Sequence, residues 1–203
     1  ELLRDRMKNK KAAAEEFTRA AMLDPSRPQL VSVTLALCRE LGLLEDAARV
    51  LSSAIDQASS DADRHDLLLE RARLRADALH DSEGALEDYL AAADAVAESQ
   101  TALKAAALLA ESLEKWDEAA AALGRLIALP QLAAAERADF LVRAGRLAER
   151  QGDPGTARSC YVDALRLRGA PDATLTERLS ALLDPTADRD ELRALMTARL
   201  SAL

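Results

Sequence analysis

Residues 139–164 read DFLVRAGRLAERQGDPGTARSCYVDA, and this stretch predicts two helices joined by a tight turn. Leu141 and Gly145 lie four positions apart, so they share one face of a first helix. The GDPG segment that follows breaks this helix. Its Asp153 is suited to accept the unpaired N–H groups that begin a second helix, and Pro154 fits the first helical position because it has no N–H to lose. The stretch therefore predicts an antiparallel helical hairpin.

The packed face of the second helix recurs five times along the chain. Each copy has an alanine, a bulky residue four positions later, and a small or apolar residue three positions after that. The copies are Ala13/Phe17/Ala20, Ala47/Leu51/Ala54, Ala85/Tyr89/Ala92, Ala119/Leu123/Leu126 and Ala157/Tyr161/Ala164. Their bulky residues are separated by 34, 38, 34 and 38 positions. A period of this size indicates a repeat array, whose units bury their apolar faces only by stacking on one another.

The alternating spacing gives a compound period of 72, which predicts that residues 72 apart have the same structural role. Candidate helix N-caps and ring residues both follow this rule. The N-cap candidates are Asn9, Asp81 and Asp153, and the ring candidates are Phe17, Tyr89 and Tyr161. Arg71 and Arg143 also correspond. Successive hairpins are therefore expected to pack in register.

The spacing predicts one array over residues 1–203, with a partial first unit and a degenerate last one. The predicted units are 1–27, 28–61, 62–99, 100–131, 132–171 and 172–203, the last of which contains Leu175, Leu179, Leu182, Leu195 and Ala198. The four extra residues of each longer unit amount to about one helical turn. First helices at roughly 62–80 and 132–151 should therefore begin a turn earlier than those at roughly 28–41 and 100–114.

The composition favours an all-α fold without nucleic-acid or membrane partners. Hydrophobic residues make up 49% of the chain but aromatic residues only 2%, and alanine, leucine and charged helix formers dominate over strand-forming types. The net charge of −8 and the pI near 4.9 oppose binding to a phosphate backbone or an anionic bilayer. We also considered RNA-reading helical repeats, which need a basic groove that this sequence lacks. No apolar run approaches the length of a membrane span.

The two cysteines and the start of the chain bear on the compartment. Cys38 and Cys160 fall in distant units, so we predict free packing thiols rather than a disulfide. The chain begins at Glu1 inside a helical pattern, from which we expect a segment of a longer array. A missing signal sequence then says little about localisation. The compartment stays open, with the unpaired cysteines favouring the cytoplasm.

Enzymatic readings find no support in the sequence. His65 and His80 fall at opposite ends of one predicted helix, more than about 20 Å apart by helical rise, so they cannot share a metal. The chain contains no Cys/His ligand spacing, no glycine-rich phosphate loop and no nucleophile elbow. We therefore predict a non-catalytic protein without a metal or a cofactor.

The repeated frame resembles the tetratricopeptide repeat, or TPR, a helix-turn-helix unit with small and aromatic residues at fixed positions. Ala13, Phe17, Ala20 and Pro25 reproduce that spacing, and Gly145 matches the close-packing glycine of the family. The family's tryptophan position holds Val31, Leu69, Leu103 and Leu141 instead. The resemblance implies a right-handed α-α superhelix of about five units plus a degenerate sixth, similar to the divergent repeats of large bacterial scaffold proteins.

This resemblance implies an interaction scaffold that binds a peptide segment or a partner helix on a concave face formed by the first helices. Carried onto this chain, the candidate binding residues are the cations Arg71, Lys104, Arg143, Arg146 and Arg150 and the leucines Leu67, Leu74 and Leu108. The cations predict recognition of carboxylates or of an acidic segment. The alternative is a solvated face neutralised by nearby acidic residues, and the leucines would then pack against the next unit.

Two other roles remain open for an array of this kind. The chain could be a docking or regulatory segment of a larger enzyme or sensor. It could also self-associate end to end, because an array cut at both ends leaves apolar faces uncovered.

Overall fold

The computed structural model describes residues 2–169 and 172–183, and side chains from residue 9 onward. The described residues form α-helices with one π-helical turn and no strand, which confirms the all-α class. The helices are α1 (Leu2–Leu23), α2 (Pro28–Leu41), α3 (Leu44–Asp56), α4 (Asp61–Leu74), α5 (Ser82–Ala95), α6 (Gln100–Ser112), α7 (Trp116–Ala128), α8 (Ala134–Gln151), α9 (Pro154–Arg168) and α10 (Ala173–Leu182). The π-helical turn (Arg75–Leu79) directly continues α4. None of the described helices is long and apolar enough to cross a membrane.

The chain divides into two compact units, which we call the N-terminal unit (Glu1–Leu109) and the C-terminal unit (Ala110–Leu203). In the N-terminal unit, α1 packs on α2 and α3, α3 packs on α4, and α4 packs on α5. In the C-terminal unit, α7 packs on α8, α8 on α9, and α9 on α10. Each unit is thus built from helices that pack on their neighbours in the chain. The predicted repeat boundaries stay predictions.

The alanines of the predicted frame are buried in α3, α5, α7 and α9. The frame predicted in α1, Ala13/Phe17/Ala20, is wrong by one residue, because the buried side chains there are Ala14, Thr18 and Ala21. Small residues allow the helix axes to approach closely, and the bulky residue between them fills the remaining space. The N-terminal core contains Ala21, Val31, Leu35, Cys38, Ala47, Val50, Leu51, Ala54 and Leu74. The C-terminal core contains Ala138, Leu141, Val142, Ala148, Ala157, Tyr161, Ala164, Leu175, Leu179 and Leu183. Leu175 and Leu179 of the degenerate last unit are thus buried, whereas Leu195 and Ala198 lie outside the described residues.

The three ring positions differ in burial. Tyr161 is fully buried and lies against Gly145, where an added Cβ would be 2.5 Å from the ring. Tyr89 is half-buried, and Arg73 occupies the position equivalent to that glycine. Phe17 is 39% exposed. The ring is thus most buried where a glycine faces it, and Phe17 is exposed because it lies outside the buried face of α1.

The prediction that Asn9 caps a helix is wrong. Helix α1 runs from Leu2 to Leu23 without a break, so Asn9 lies inside it. Asn9 is therefore not in the turn of a helical hairpin. The other two predicted caps are confirmed, because Asp81 accepts a hydrogen bond from the Gly84 N–H and Asp153 accepts one from the Thr156 N–H.

The turns that follow α2, α4, α6 and α8 have one backbone feature in common. A left-handed residue ends each first helix: Gly42 (φ 69°), His80 (φ 55°), Glu114 (φ 57°) and Gly152 (φ 75°). These residues form two pairs 72 positions apart. A left-handed residue here lets N–H groups of the turn bond to the last carbonyl groups of the helix. The period of 72 thus holds in the backbone even where the residue type changes.

Candidate functional site

Helix α8 carries three arginines along one face of the C-terminal unit. Arg143, Arg146 and Arg150 follow one another at spacings of three and four, so they project from successive turns on the same side. They border a cleft of about 170 Å³ whose lining is completed by Glu111, Trp116 and Leu147. The cleft is therefore a short basic surface beside an aromatic ring.

Contacts within the cleft hold two of these arginines in place. The Nε and one terminal nitrogen of Arg143 donate to Glu111 Oε1 at 3.2 and 3.0 Å. The guanidinium of Arg150 lies 5.1 Å from the centre of the Trp116 ring, within cation–π range. Arg146 is exposed. Among the described residues that line the cleft, positive charges outnumber negative charges three to one.

A second, larger depression lies on the N-terminal unit between α2 and α4. It has a volume of about 380 Å³, and the end of α3 closes one side. We call it the α2–α4 groove. Its lining residues are Pro25, Ser26, Pro28, Val31, Ser32, Leu35 and Arg39 from the α2 side, Ala54, Gln57, Ala58 and Ser59 from the α3 side, and Asp63, Asp66, Leu67 and Glu70 from α4. An ion pair between Arg39 and Glu70 links the two helices across it.

No protein-family model and no curated protein matches this sequence. Among solved structures, the chain is similar to the MamA protein at 17% identity and a TM-score of 0.53, over 93% of this chain and 92% of that one. It is also similar to the C-terminal part of a TPR repeat-containing protein from Cytophaga hutchinsonii, at 15% identity and a TM-score of 0.50, over 93% of this chain and 71% of that one. The chain has a TPR-like helical repeat fold.

The TPR-like fold distributes the predicted binding residues over several environments. Leu67 lines the α2–α4 groove, while Leu74 is buried in the N-terminal core. Leu108 is 64% exposed. Lys104 is partly buried and already interacts with a neighbouring group. Partner binding by these residues stays a prediction, but Leu74 contributes to the TPR-like core.

Arg71 is held inside the N-terminal unit instead of facing an open surface. Its guanidinium binds the Asp88 carboxylate in bidentate fashion, at 2.9 Å from Nε to Oδ2 and 2.6 Å from a terminal nitrogen to Oδ1. A third donor reaches Ser52 Oγ at 2.8 Å. Arg75 adds a second cation, 3.1 Å from Asp88 Oδ2. Arg71 and Arg143 thus share a position in the repeat but have different partners.

The sequence analysis missed the buried carboxylate of Asp88, which is only 2% exposed. The sequence did contain a signal for this buried carboxylate. Asp88 lies three residues after Ala85 and four before Ala92, so it shares the packed face of these frame alanines. An acidic residue on a buried helix face requires a cationic partner, and Arg71 was the available candidate.

The two histidines lie apart, as predicted. His65 bridges Asp66, at 2.9 Å from Nδ1, and the Ser99 hydroxyl, at 2.7 Å from Nε2. Ser99 precedes α6 and accepts a hydrogen bond from the Ala102 N–H, so His65 connects the beginnings of two first helices. His80 is the exposed left-handed residue after the π-helical turn. Within the described residues, no group of histidine, cysteine and acidic side chains is arranged to hold a metal.

Burial shifts the pKa values of several neutral groups upward. It raises the pKa of the Tyr161 hydroxyl to about 12, and the charge of Glu149 adds to this effect. That hydroxyl is buried beside the Glu149 carboxylate and the Arg178 guanidinium, without a hydrogen bond of good geometry to either group. Burial also raises the pKa of the free thiols of Cys38 and Cys160. Both cysteines are therefore protonated at neutral pH, as the prediction of packing thiols requires.

Proposed function

We propose that the protein is a non-catalytic scaffold that binds a peptide segment or a partner helix on its first helices. We further propose that the basic cleft on α8 receives an acidic part of that partner. The observation that carries this proposal is that three arginines and only one carboxylate line the same cleft as Trp116. The general scaffold role follows from the TPR-like fold, and the choice of partner follows from the charge of the cleft.

The contacts of the cleft fit carboxylate recognition. Arg143 keeps Glu111 as its partner, while stacking on Trp116 limits the motion of Arg150 and so reduces the entropy lost when it binds. Arg146 lies between them and is exposed. A guanidinium presents paired donors that match the two oxygens of a carboxylate. An acidic segment lying along α8 would meet Arg146 and Arg150 on adjacent turns.

Trp116 provides a direct test, because it is the only tryptophan of the chain and it lines the cleft. We expect a capped glutamate-rich peptide to change its fluorescence and to bind more weakly as salt is added. Each charge-assisted contact contributes about 1.5–3 kcal/mol. Arg146→Glu should therefore weaken binding at least tenfold, since about 1.4 kcal/mol corresponds to a factor of ten.

The matched control is Arg166→Glu, which makes the same change of charge on the exposed side of α9, where Arg166 pairs with Asp163. This variant should bind the acidic peptide almost as well as the parent protein. The acidic-segment proposal is wrong if the peptide leaves Trp116 fluorescence unchanged, or if both variants lose affinity equally. Anisotropy of a labelled peptide gives the same affinities independently of the tryptophan.

A further inference from the structure

The α2–α4 groove combines an apolar floor with a charged rim. Val31 and Leu35 of α2, Ala54 of α3 and Leu67 of α4 contribute apolar side chains to its lining. Its volume of about 380 Å³ lies within the range of about 300–1,000 Å³ that is typical of ligand clefts. The groove therefore has room for an aliphatic side chain of a bound segment.

The rim of this groove has an excess of negative charge. Asp63, Asp66 and Glu70 line it together with one cation, Arg39, which is paired with Glu70. Hydrogen bonds from the hydroxyl groups of Ser60 and Ser59 lower the pKa of Asp63, a carboxyl group that is ionised at neutral pH in any case. The side chain of Asp66 is 82% exposed. The described lining thus carries three carboxylates and one guanidinium.

The negative rim continues into an adjoining cleft of about 590 Å³. The two depressions share Arg39, Asp66 and Glu70, and the second adds Arg73 and Asp77 as charged residues. Asp66, Glu70 and Asp77 outnumber Arg39 and Arg73 in the second cleft, so its described lining has one negative charge in excess. This length of surface suits an extended segment better than a small ligand.

The TPR-like frame does not require these carboxylates. The positions 72 residues after Asp63, Asp66 and Glu70 hold Ala135, Ala138 and Val142 on α8. The same first-helix positions therefore work with small or apolar residues. The acidic rim is a property of this groove, which separates it from the general architecture of the repeat.

We propose that the α2–α4 groove docks an extended segment of a protein partner in which an aliphatic side chain is flanked by arginine or lysine. The aliphatic side chain lies between Val31, Leu35 and Leu67, and the flanking cations face Asp66 and the neighbouring carboxylates. Charge complementarity decides against an acidic segment, which would meet excess negative charge. This site differs from the basic cleft on α8 in position and in preferred charge. It depends on the proposed scaffold role only in the assumption that the ligand is a protein.

The test uses three labelled, capped peptides in which leucine alternates with arginine, with serine or with glutamate. We expect the arginine peptide to bind at least tenfold more tightly than the serine peptide, with an affinity that falls as salt increases. The glutamate peptide should bind this groove most weakly. Competition by unlabelled peptide and fluorescence anisotropy give the affinities.

Two variants locate the binding site, and a third controls for net charge. Asp66→Lys reverses a rim charge and should lower the affinity for the arginine peptide at least tenfold. Ser32→Tyr fills the groove and should prevent binding of both the arginine peptide and the serine peptide. Glu87→Lys makes the same change of charge on the exposed side of α5, outside the groove. This variant should bind the arginine peptide with nearly the affinity of the parent protein. Circular dichroism confirms that each variant is folded.

The possible results separate this inference from the proposed function. Equal affinity for all three peptides, tighter binding of the serine or glutamate peptide at the groove, or full binding by Asp66→Lys overturns the basic-segment assignment. The arginine peptide should leave Trp116 fluorescence unchanged, because Trp116 does not line this groove. If the glutamate-rich peptide still reports at Trp116 while the arginine peptide fails to bind, only this inference is wrong. If the arginine peptide binds while the glutamate-rich peptide leaves Trp116 fluorescence unchanged, the groove assignment holds and the acidic-segment proposal is wrong.

Discussion

Asp88 on α5 and Cys160 on α9 lie 72 positions apart and occupy the same place in corresponding second helices. In the N-terminal unit this position holds a buried carboxylate bound by two arginines. In the C-terminal unit it holds a half-buried thiol, and Leu147 replaces Arg75. One helical frame therefore accepts either an ionic network or a half-buried thiol at the same place.

The partner of the shared arginine changes with this position. Arg71 faces the carboxylate of its own hairpin, whereas Arg143 turns to Glu111 on α6. A guanidinium binds whichever carboxylate is within reach of its side chain, and only the N-terminal unit has one at this position of the second helix, Asp88 where the C-terminal unit has Cys160. The comparison teaches that equivalent residues in a repeat need not have equivalent partners. It also explains why the charge of α8 is displayed at a cleft while Arg71 is enclosed.

The ends of the two long first helices differ in the same region. In the C-terminal unit, the Asp153 N–H bonds to the Ala148 carbonyl, five residues back. In the N-terminal unit, the Asp81 N–H bonds to the Arg75 carbonyl, six residues back, and the last turn is π-helical. Arg75 is the first residue of that turn and also donates to the Gly84 carbonyl at 3.0 Å. The wider turn thus accompanies the ionic network.

The largest effect should come from removing the buried charge of the N-terminal unit. Asp88→Ala leaves Arg71 and Arg75 without their shared carboxylate, and breaking a buried ion pair in this way costs about 3–5 kcal/mol. Cys160→Ala at the equivalent position should cost about 1 kcal/mol, since it removes only a half-buried thiol. Chemical denaturation followed by circular dichroism measures both free energies of unfolding.

A double variant sharpens this prediction by giving the N-terminal unit the residues of the C-terminal one. Asp88→Cys combined with Arg75→Leu removes the carboxylate together with one of its two cations, so only Arg71 loses its partner, whereas Asp88→Ala leaves both arginines unpaired. The double variant should therefore be more stable than Asp88→Ala. Equal and small losses in all three proteins would mean that the network contributes nothing to stability.

The sequence predicted the helical class, the turns and the frame because these depend on local spacing. Small residues at fixed intervals predicted the buried faces that contain Leu51 and Tyr161, and the period of 72 predicted the capping roles of Asp81 and Asp153. The wrong cap at Asn9 shows the limit of this approach. Asparagine is compatible with a cap but also with a helix interior, and the helix continues through it.

The candidate site was harder to predict because pairing between helices depends on side-chain reach. Periodicity placed Arg71 and Arg143 at the same point but could not identify the carboxylate that each one binds. It also could not show that Glu70 pairs with Arg39 across a groove, since these residues are 31 positions apart. The basic face of α8 was predictable because it lies within one helix, whereas the acidic groove needs α2, α3 and α4 together.

A second comparison concerns the two tyrosines of the frame and their response to pH. Burial raises the pKa of Tyr161 to about 12, above the value of about 10 for an unfolded chain. The stability that the neutral hydroxyl provides is complete below about pH 10 and is lost as the pH rises toward about 12. A shift of this size corresponds to about 2–3 kcal/mol. Tyr161→Phe should therefore be more stable than the parent protein at high pH.

The measurement is the free energy of unfolding of both proteins between about pH 8 and pH 12. At the lower end, Tyr161→Phe should match the parent protein within about 1 kcal/mol, because the buried Tyr161 hydroxyl makes no hydrogen bond of good geometry although Glu149 and Arg178 lie beside it. Tyr89→Phe should give a smaller difference at high pH, since Tyr89 is only half-buried. Parallel curves for the parent protein and Tyr161→Phe would contradict the prediction.

The smallest effect concerns the left-handed residue that ends each first helix. Glycine adopts this conformation without strain, whereas other residues incur a cost of about 1–2 kcal/mol. Gly152→Ala should therefore destabilise the C-terminal unit by about 1 kcal/mol, and His80→Gly should stabilise the N-terminal unit by a similar amount. The two substitutions exchange a glycine and a side chain at positions 72 apart, so opposite signs in chemical denaturation would show that the turns are equivalent. If His80→Gly instead destabilises the protein, the imidazole must contribute more to the π-helical turn than its exposure indicates, and the two turns differ in energy as well as in width.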